Sequence, residues 1–189
     1  MPLNSPDIAN IISQRLGIVF LWDPGQEMEP IGNVCFAQSP EIRPEYKESF
    51  SLGDLIGYLN GLVYSQTKQE MYPTDANSFW TLVKTGNEHL LHSRKQYAQA
   101  APAIEIQPVL KHNRVTRLNF HEKDKIWIND RQFLTGVPLQ VRKLRLQGGC
   151  PANKWLENRL GKELDNIEMV QFLGLIKRLN LVCHLLKKI

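Results

Sequence analysis

Apolar residues recur at helical spacing in several stretches of the chain and alternate at strand spacing in one. Ile8, Ile11, Ile12 and Leu16 share one face of a short helix that Asp7 opens and Gly17 stops. The continuous run Ile18 to Trp22 predicts a buried strand, closed by the Asp23-Pro24-Gly25 turn. Residues 24–50 read as an irregular connection with one short strand around Val34-Cys35-Phe36. Pro40 and Pro44 exclude a helix there.

Ser51 and Asp54 form a capping-box-like pair before an apolar face of Leu52, Leu55, Ile56, Leu59, Leu62 and Val63. Gly53, Gly57 and Gly61 recur every fourth residue along that helix. In so polar a segment this spacing predicts close packing against another helix rather than membrane dimerisation. Asn77 or Ser78 is the expected cap of a second long helix, roughly residues 78–95. Its core face would carry Phe79, Leu82, Val83, Gly86, Leu90 and His89.

Tyr97 to Pro108 is rich in Ala, Gln and Pro and reads as a linker. Residues 114–120 then alternate polar and apolar, Glu122 to Lys125 make a polar turn, and Ile126-Trp127-Ile128 return. That pattern predicts an antiparallel hairpin over 114–128. Pro138 starts a short helix anchored by Val141, Leu144 and Leu146 and stopped by Gly148-Gly149. Pro151 starts another, with Trp155, Leu156 and Leu160, ending at Gly161. Asp165 caps a long closing helix.

The expected fold is therefore α+β and predominantly helical: a helix pair, a small antiparallel hairpin, then a C-terminal helical unit. One domain should span residues 1–189, with a helical part over 1–97, a linker over 98–110 and a hairpin-plus-helices part over 111–189. A chain of 189 residues can bury a full core unaided. Its three scattered cysteines, Cys35, Cys150 and Cys183, make no disulfide framework and suit a reducing cytoplasm. The start carries no basic and apolar signal-peptide pattern. The longest uninterrupted apolar run is too short for a bilayer, so no membrane partner is expected.

Charge changes the picture. The formal net charge of +4 divides into −6 over residues 1–80 and +10 over residues 81–189. A basic half beside an acidic half points to a polyanion partner for the second. The alternative is that the acidic half docks on the basic half, or on another domain.

Catalytic patterns are missing. There is no G-x-S-x-G, Walker loop, G-x-G-x-x-G or H-E-x-x-H. Strands and helices do not alternate as a Rossmann-like cofactor domain requires. Glu88, His89 and His92 are the best metal-like group but lack a further ligand in sequence reach. Cys150 at a helix start reads as structural. Neither a catalytic residue nor a cofactor or metal is expected.

Residues 126–161 carry a recognisable order: Ile126-Trp127-Ile128-Asn129, Phe133, Gly136-Val137-Pro138, Gly148-Gly149, Lys154-Trp155-Leu156, Arg159 and Gly161. It resembles the C-terminal specificity domain of type ISP restriction–modification enzymes. Those single polypeptides join a nuclease, a helicase-like ATPase and an adenine-N6 DNA methyltransferase to a target-recognition region. Leu164, the closing helix and the helices around Asp54–Ser65 and Phe79–His92 extend the resemblance over almost the whole chain. Two departures stand out: Cys150 follows Gly-Gly where the family has an aromatic, and the segment around Met71–Asp75 is shortened.

The resemblance implies a target-recognition module, non-catalytic alone. Its expected partners are double-stranded DNA and the methyltransferase and helicase-like domains of a parent polypeptide. Basic side chains would neutralise phosphates while polar ones read base edges. The candidates are Lys111, His112, Arg114 and Arg117 before and on the hairpin, Arg131 after it, and Arg142, Lys143 and Arg145 on the short helix. The competing reading is a helical docking domain that packs on the catalytic domains while DNA is read elsewhere.

Overall fold

The computed structural model of the chain describes residues 7–21, 47–65, 70–99, 103–107, 113–116 and 125–189. The expected strand around Val34-Cys35-Phe36 lies outside them. Two compact units are present, Pro6–Lys95 with Leu185–Ile189, and Gln96–His184.

In the first unit, Asp7 caps helix α1 (Ile8–Leu16) by accepting from the Asn10 N–H, and Gly17 ends it at φ 67°. Strand β1 (Val19–Leu21) pairs with β2 (Ser49–Ser51) in parallel, setting Phe20 opposite Phe50. Ser51 and Asp54 form the full reciprocal capping box at the start of α2 (Leu52–Tyr64). Each satisfies an N–H that the first helical turn leaves unpaired.

Helix α3 runs from Ala76 to Gln99. Its cap is Asp75, two or three residues before the expected one: the carboxylate accepts from the Ser78 N–H at 2.8 Å and the Ser78 hydroxyl at 2.6 Å. The Ser78 bonds hold the Asp75 carboxyl below the usual carboxylate range. The glycine spacing does serve helix packing. A Cβ on Gly86 would strike the Gly57 carbonyl and the Gly61 nitrogen, and one on Gly61 would strike the Leu82 carbonyl. Asn60, fully buried, donates to the Gly86 carbonyl at 2.8 Å and ties the same crossing. His89 departs from expectation: it is exposed, with its ring stacked on Tyr64 at 4.1 Å.

In the second unit, β3 (Glu105–Gln107), β5 (Phe133–Thr135) and β4 (Ile126–Trp127) form an antiparallel sheet in that order. Strand β3 falls inside the stretch that composition reads as a connection. Of the hairpin expected over 114–128, the described residues include the second arm and only the start of the first. Ile126–Trp127 is a strand, but its ladder partner is Phe133–Thr135. Arg114 bridges to Glu163, Val115 donates to the Lys162 carbonyl, and Thr116 donates to the Ile128 carbonyl. The rest of the expected first arm lies outside the described residues.

The cause is a local turn. Asn129 accepts from the N–H groups of Arg131 and Gln132 at 2.9 and 2.8 Å, folding the chain back within four residues. Gln132 is fully buried and donates to Asn113 at 2.9 Å, while accepting from Asn129. These amides satisfy one another where an unpaired one would cost about 1–3 kcal/mol.

Helix α4 (Leu139–Lys143) follows Pro138, and α5 (Pro151–Glu157) begins on Pro151. Helix α6 spans Asn166–Leu186, opened by reciprocal bonds between Asp165 and Glu168. By length and composition α6 could cross a membrane. Here Met169, Phe172, Leu175, Ile176, Leu179, Val182 and Leu185 are instead buried within the protein.

Candidate nucleic-acid interface

Arg114 and Arg131 are brought together by one side chain. Asn129 donates to the Arg114 carbonyl at 3.1 Å and accepts from the Arg131 N–H at 2.9 Å. Both arginines are exposed. The Arg114 guanidinium donates through Nε to the Gly161 carbonyl at 2.9 Å, which fixes its direction while leaving its terminal nitrogens for other acceptors.

Arg142, Lys143 and Arg145 form a second group. Val141, Leu144 and Leu146 are buried, so the end of α4 and the residues after it are anchored from below, with Lys143 and Arg145 left on the outside. Lys143 and Arg145 are exposed. Arg145 folds back through Nη1 onto the carbonyls of Arg142 and Leu144, at 3.1 and 3.3 Å. Arg142 is half-buried, with Nε and Nη2 shielded from solvent. Lys111, His112 and Arg117 lie outside the described residues.

A third feature escaped the sequence reading. On the β4–β5 hairpin, Ile126, Ile128 and Leu134 are fully buried on one face. Lys125, Trp127 and Phe133 are half-buried on the other. Trp127 lies directly opposite Phe133, with ring centroids 4.7 Å apart. The Lys125 ammonium sits 4.2 Å from the Phe133 centroid and 5.6 Å from that of Trp127. Arg131 stands in the turn between the two strands. The two rings and the Lys125 ammonium thus make one mixed apolar and cationic patch on the outer face of the hairpin. The legible signal was the period of two: once Ile126 and Ile128 point inward, Lys125 and Trp127 must point outward.

The region offers little for covalent or metal chemistry. Cys150 is buried, its Sγ 3.9 Å from the Val141 carbonyl, and burial pushes its thiol pKa up, away from a reactive thiolate. Among the described residues no group of three His, Cys, Asp or Glu side chains could hold a metal ion. His92 turns Nδ1 toward the Glu88 carbonyl of its own helix, at 2.8 Å.

The motif residues that carry the family resemblance serve the frame of this surface. Trp155 stacks on Phe172, and Arg159 covers the other face of the indole at 3.7 Å while pairing with Glu168 at 3.3 Å. Lys154 reaches back to the Gln147 carbonyl at 3.1 Å. Compared with known protein families, residues 71–172 match the type ISP C-terminal specificity domain. Neither a curated protein nor a solved structure matches the chain.

Proposed function

Because the chain belongs to the type ISP C-terminal specificity domain family, matched over more than half its length, we propose that it recognises duplex DNA for a restriction–modification enzyme. The chain itself performs no chemistry. Adenine methylation, and cleavage where the parent cleaves, would be carried out by methyltransferase and helicase-like or nuclease domains of a larger cytoplasmic polypeptide. A base to be methylated would be flipped into the methyltransferase, not into this module.

The observation that best supports this reading is the placement of exposed cations on rigid supports. Asn129 ties the backbones of Arg114 and Arg131 together, and Lys143 and Arg145 stand on a turn anchored by buried Val141, Leu144 and Leu146. Such groups hold phosphates without ordering flexible chain on binding. Lys125, Trp127 and Phe133 add a surface for sugar and base contact. Lys111, His112, Arg117 and Arg142 complete the proposed set.

The test is duplex binding by the chain at rising salt, followed by fluorescence anisotropy. Affinity should fall linearly on a log–log scale as counterions are released. An interaction indifferent to salt would favour the docking-domain reading. That alternative has its own support in the exposed Ile167 and Val170, 68% and 69% accessible on one face of α6.

A further inference from the structure

Gln147 is the one residue other than glycine that has a positive φ among the described residues, at 50°. Gly148 follows at 73°. Together they form the centre of a tight turn that Leu146 and Gly149 close with reciprocal N–H···O bonds of 2.9 and 3.3 Å. Two successive positive φ values favour Asn, Asp or Gly at the first of these positions. Glutamine is strained there, and it gains nothing locally in return: its side-chain amide makes no hydrogen bond among the described residues.

The strained turn is nonetheless held in place. Lys154 on α5 donates to the Gln147 carbonyl at 3.1 Å. Gly149 makes room for that lysine, because a Cβ there would strike the Lys154 Cε. Gly148, at the tip, faces open space. Exposed Lys143 and Arg145 precede the turn directly. A backbone conformation maintained against its residue's preference points to a use for the side chain.

We propose that Gln147 is a base-reading residue, which presents its amide to an adenine in the major groove. This rests on the DNA-recognition reading above. Adenine offers N7 as acceptor and N6–H as donor on that edge, and a glutamine amide matches both at once, Nε2 donating to N7 and Oε1 accepting from N6–H. The turn fixes where the amide starts, and the cations before it engage the adjoining phosphates. The extra methylene of glutamine supplies reach that asparagine, the residue better suited to the backbone, lacks.

The experiment selects duplexes from a random pool with the parent chain and with Gln147→Gly. The parent should enrich adenine at a defined position by roughly 5- to 150-fold over other bases. Gln147→Gly should melt no lower than the parent, bind unselected duplex equally well, and enrich the remaining positions without that adenine. Replacing the selected adenine by 7-deazaadenine, which lacks the N7 acceptor, should weaken the parent and leave the variant unaffected. A Gln147→Gly chain that still selects the same adenine overturns the proposal, as does one that weakens on all duplexes alike. A parent that binds duplex but enriches no sequence removes the recognition reading itself, and this assignment with it.

Discussion

The indole of Trp155 lies flat on the ring of Phe172, centroids 4.6 Å apart and planes 18° from parallel. The contact joins α5 to α6, and Trp155 is 3% accessible. Trp155→Ala should therefore destabilise the chain by about 3–5 kcal/mol, the usual cost of an aromatic-sized cavity. Urea denaturation checks this. DNA affinity should fall only to the extent that the unfolded fraction rises.

Gly86 and Gly174 make opposite predictions from the same substitution. A Cβ at Gly86 meets the Gly57 carbonyl, which is backbone and cannot step aside. Gly86→Ala should destabilise by about 1–3 kcal/mol through forced separation of α2 and α3. A Cβ at Gly174 meets nothing within 4 Å. Gly174→Ala should stabilise by about 0.5–1 kcal/mol, since it restricts the unfolded chain and favours helix. Thermal melts of the two variants would show shifts of opposite sign.

These contrasts show what was legible in the residues. The Ser51–Asp54 box and the Gly57, Gly61 and Gly86 crossing follow from local chemistry and spacing, and both are present. The Asp75 cap was missed because Asn77 and Ser78 are equally good capping residues two and three positions later. The pairing of Ile126–Trp127 with Phe133–Thr135 was not foreseen because polar turns flank the strand on both sides, one before it and one after it. The Asn129 side chain closes the later one, a bond that composition does not announce. The parallel pairing of Val19–Leu21 with Ser49–Ser51, and the Arg114–Glu163 bridge, join residues far apart in sequence. Periodicity carries no information about such partners. For the candidate interface, residue type named the cations. Only the fold shows that Arg114 and Arg131 share Asn129 as a support.

Stability should decline in alkali. Burial pushes the Tyr58 hydroxyl well above its ordinary pKa of 10.0, with the Arg15 charge opposing weakly, and raises the Cys150 thiol above 9.0. Each group holds its proton more tightly folded than unfolded. Its contribution is complete below the unfolded pKa and is lost as pH rises toward the folded one. The urea midpoint should therefore begin to drop as pH rises past about 8 and go on falling above pH 10, where unfolded tyrosine ionises and Tyr58 in the folded chain does not. Tyr58→Phe should lose part of that dependence, along with the bond from the hydroxyl to the Met71 carbonyl.

The salt dependence of DNA binding discriminates among the cations. If roughly four to six phosphates are neutralised, the log–log slope should be about −4 to −5. Replacing Arg142, Lys143 and Arg145 together by Ala should flatten it by up to about one unit per lost contact. Lys143 and Arg145 should account for most of the change, because Arg142 is partly withdrawn from solvent. The fold should persist, since Val141, Leu144 and Leu146 anchor that turn and are untouched. Lys187 and Lys188, exposed at the other end of the chain, provide the control. Their joint replacement by Ala removes two charges and should leave the slope close to that of the parent. Equal slopes for the parent and the triple variant would place the phosphate contacts elsewhere, first on Arg114, Lys125 and Arg131.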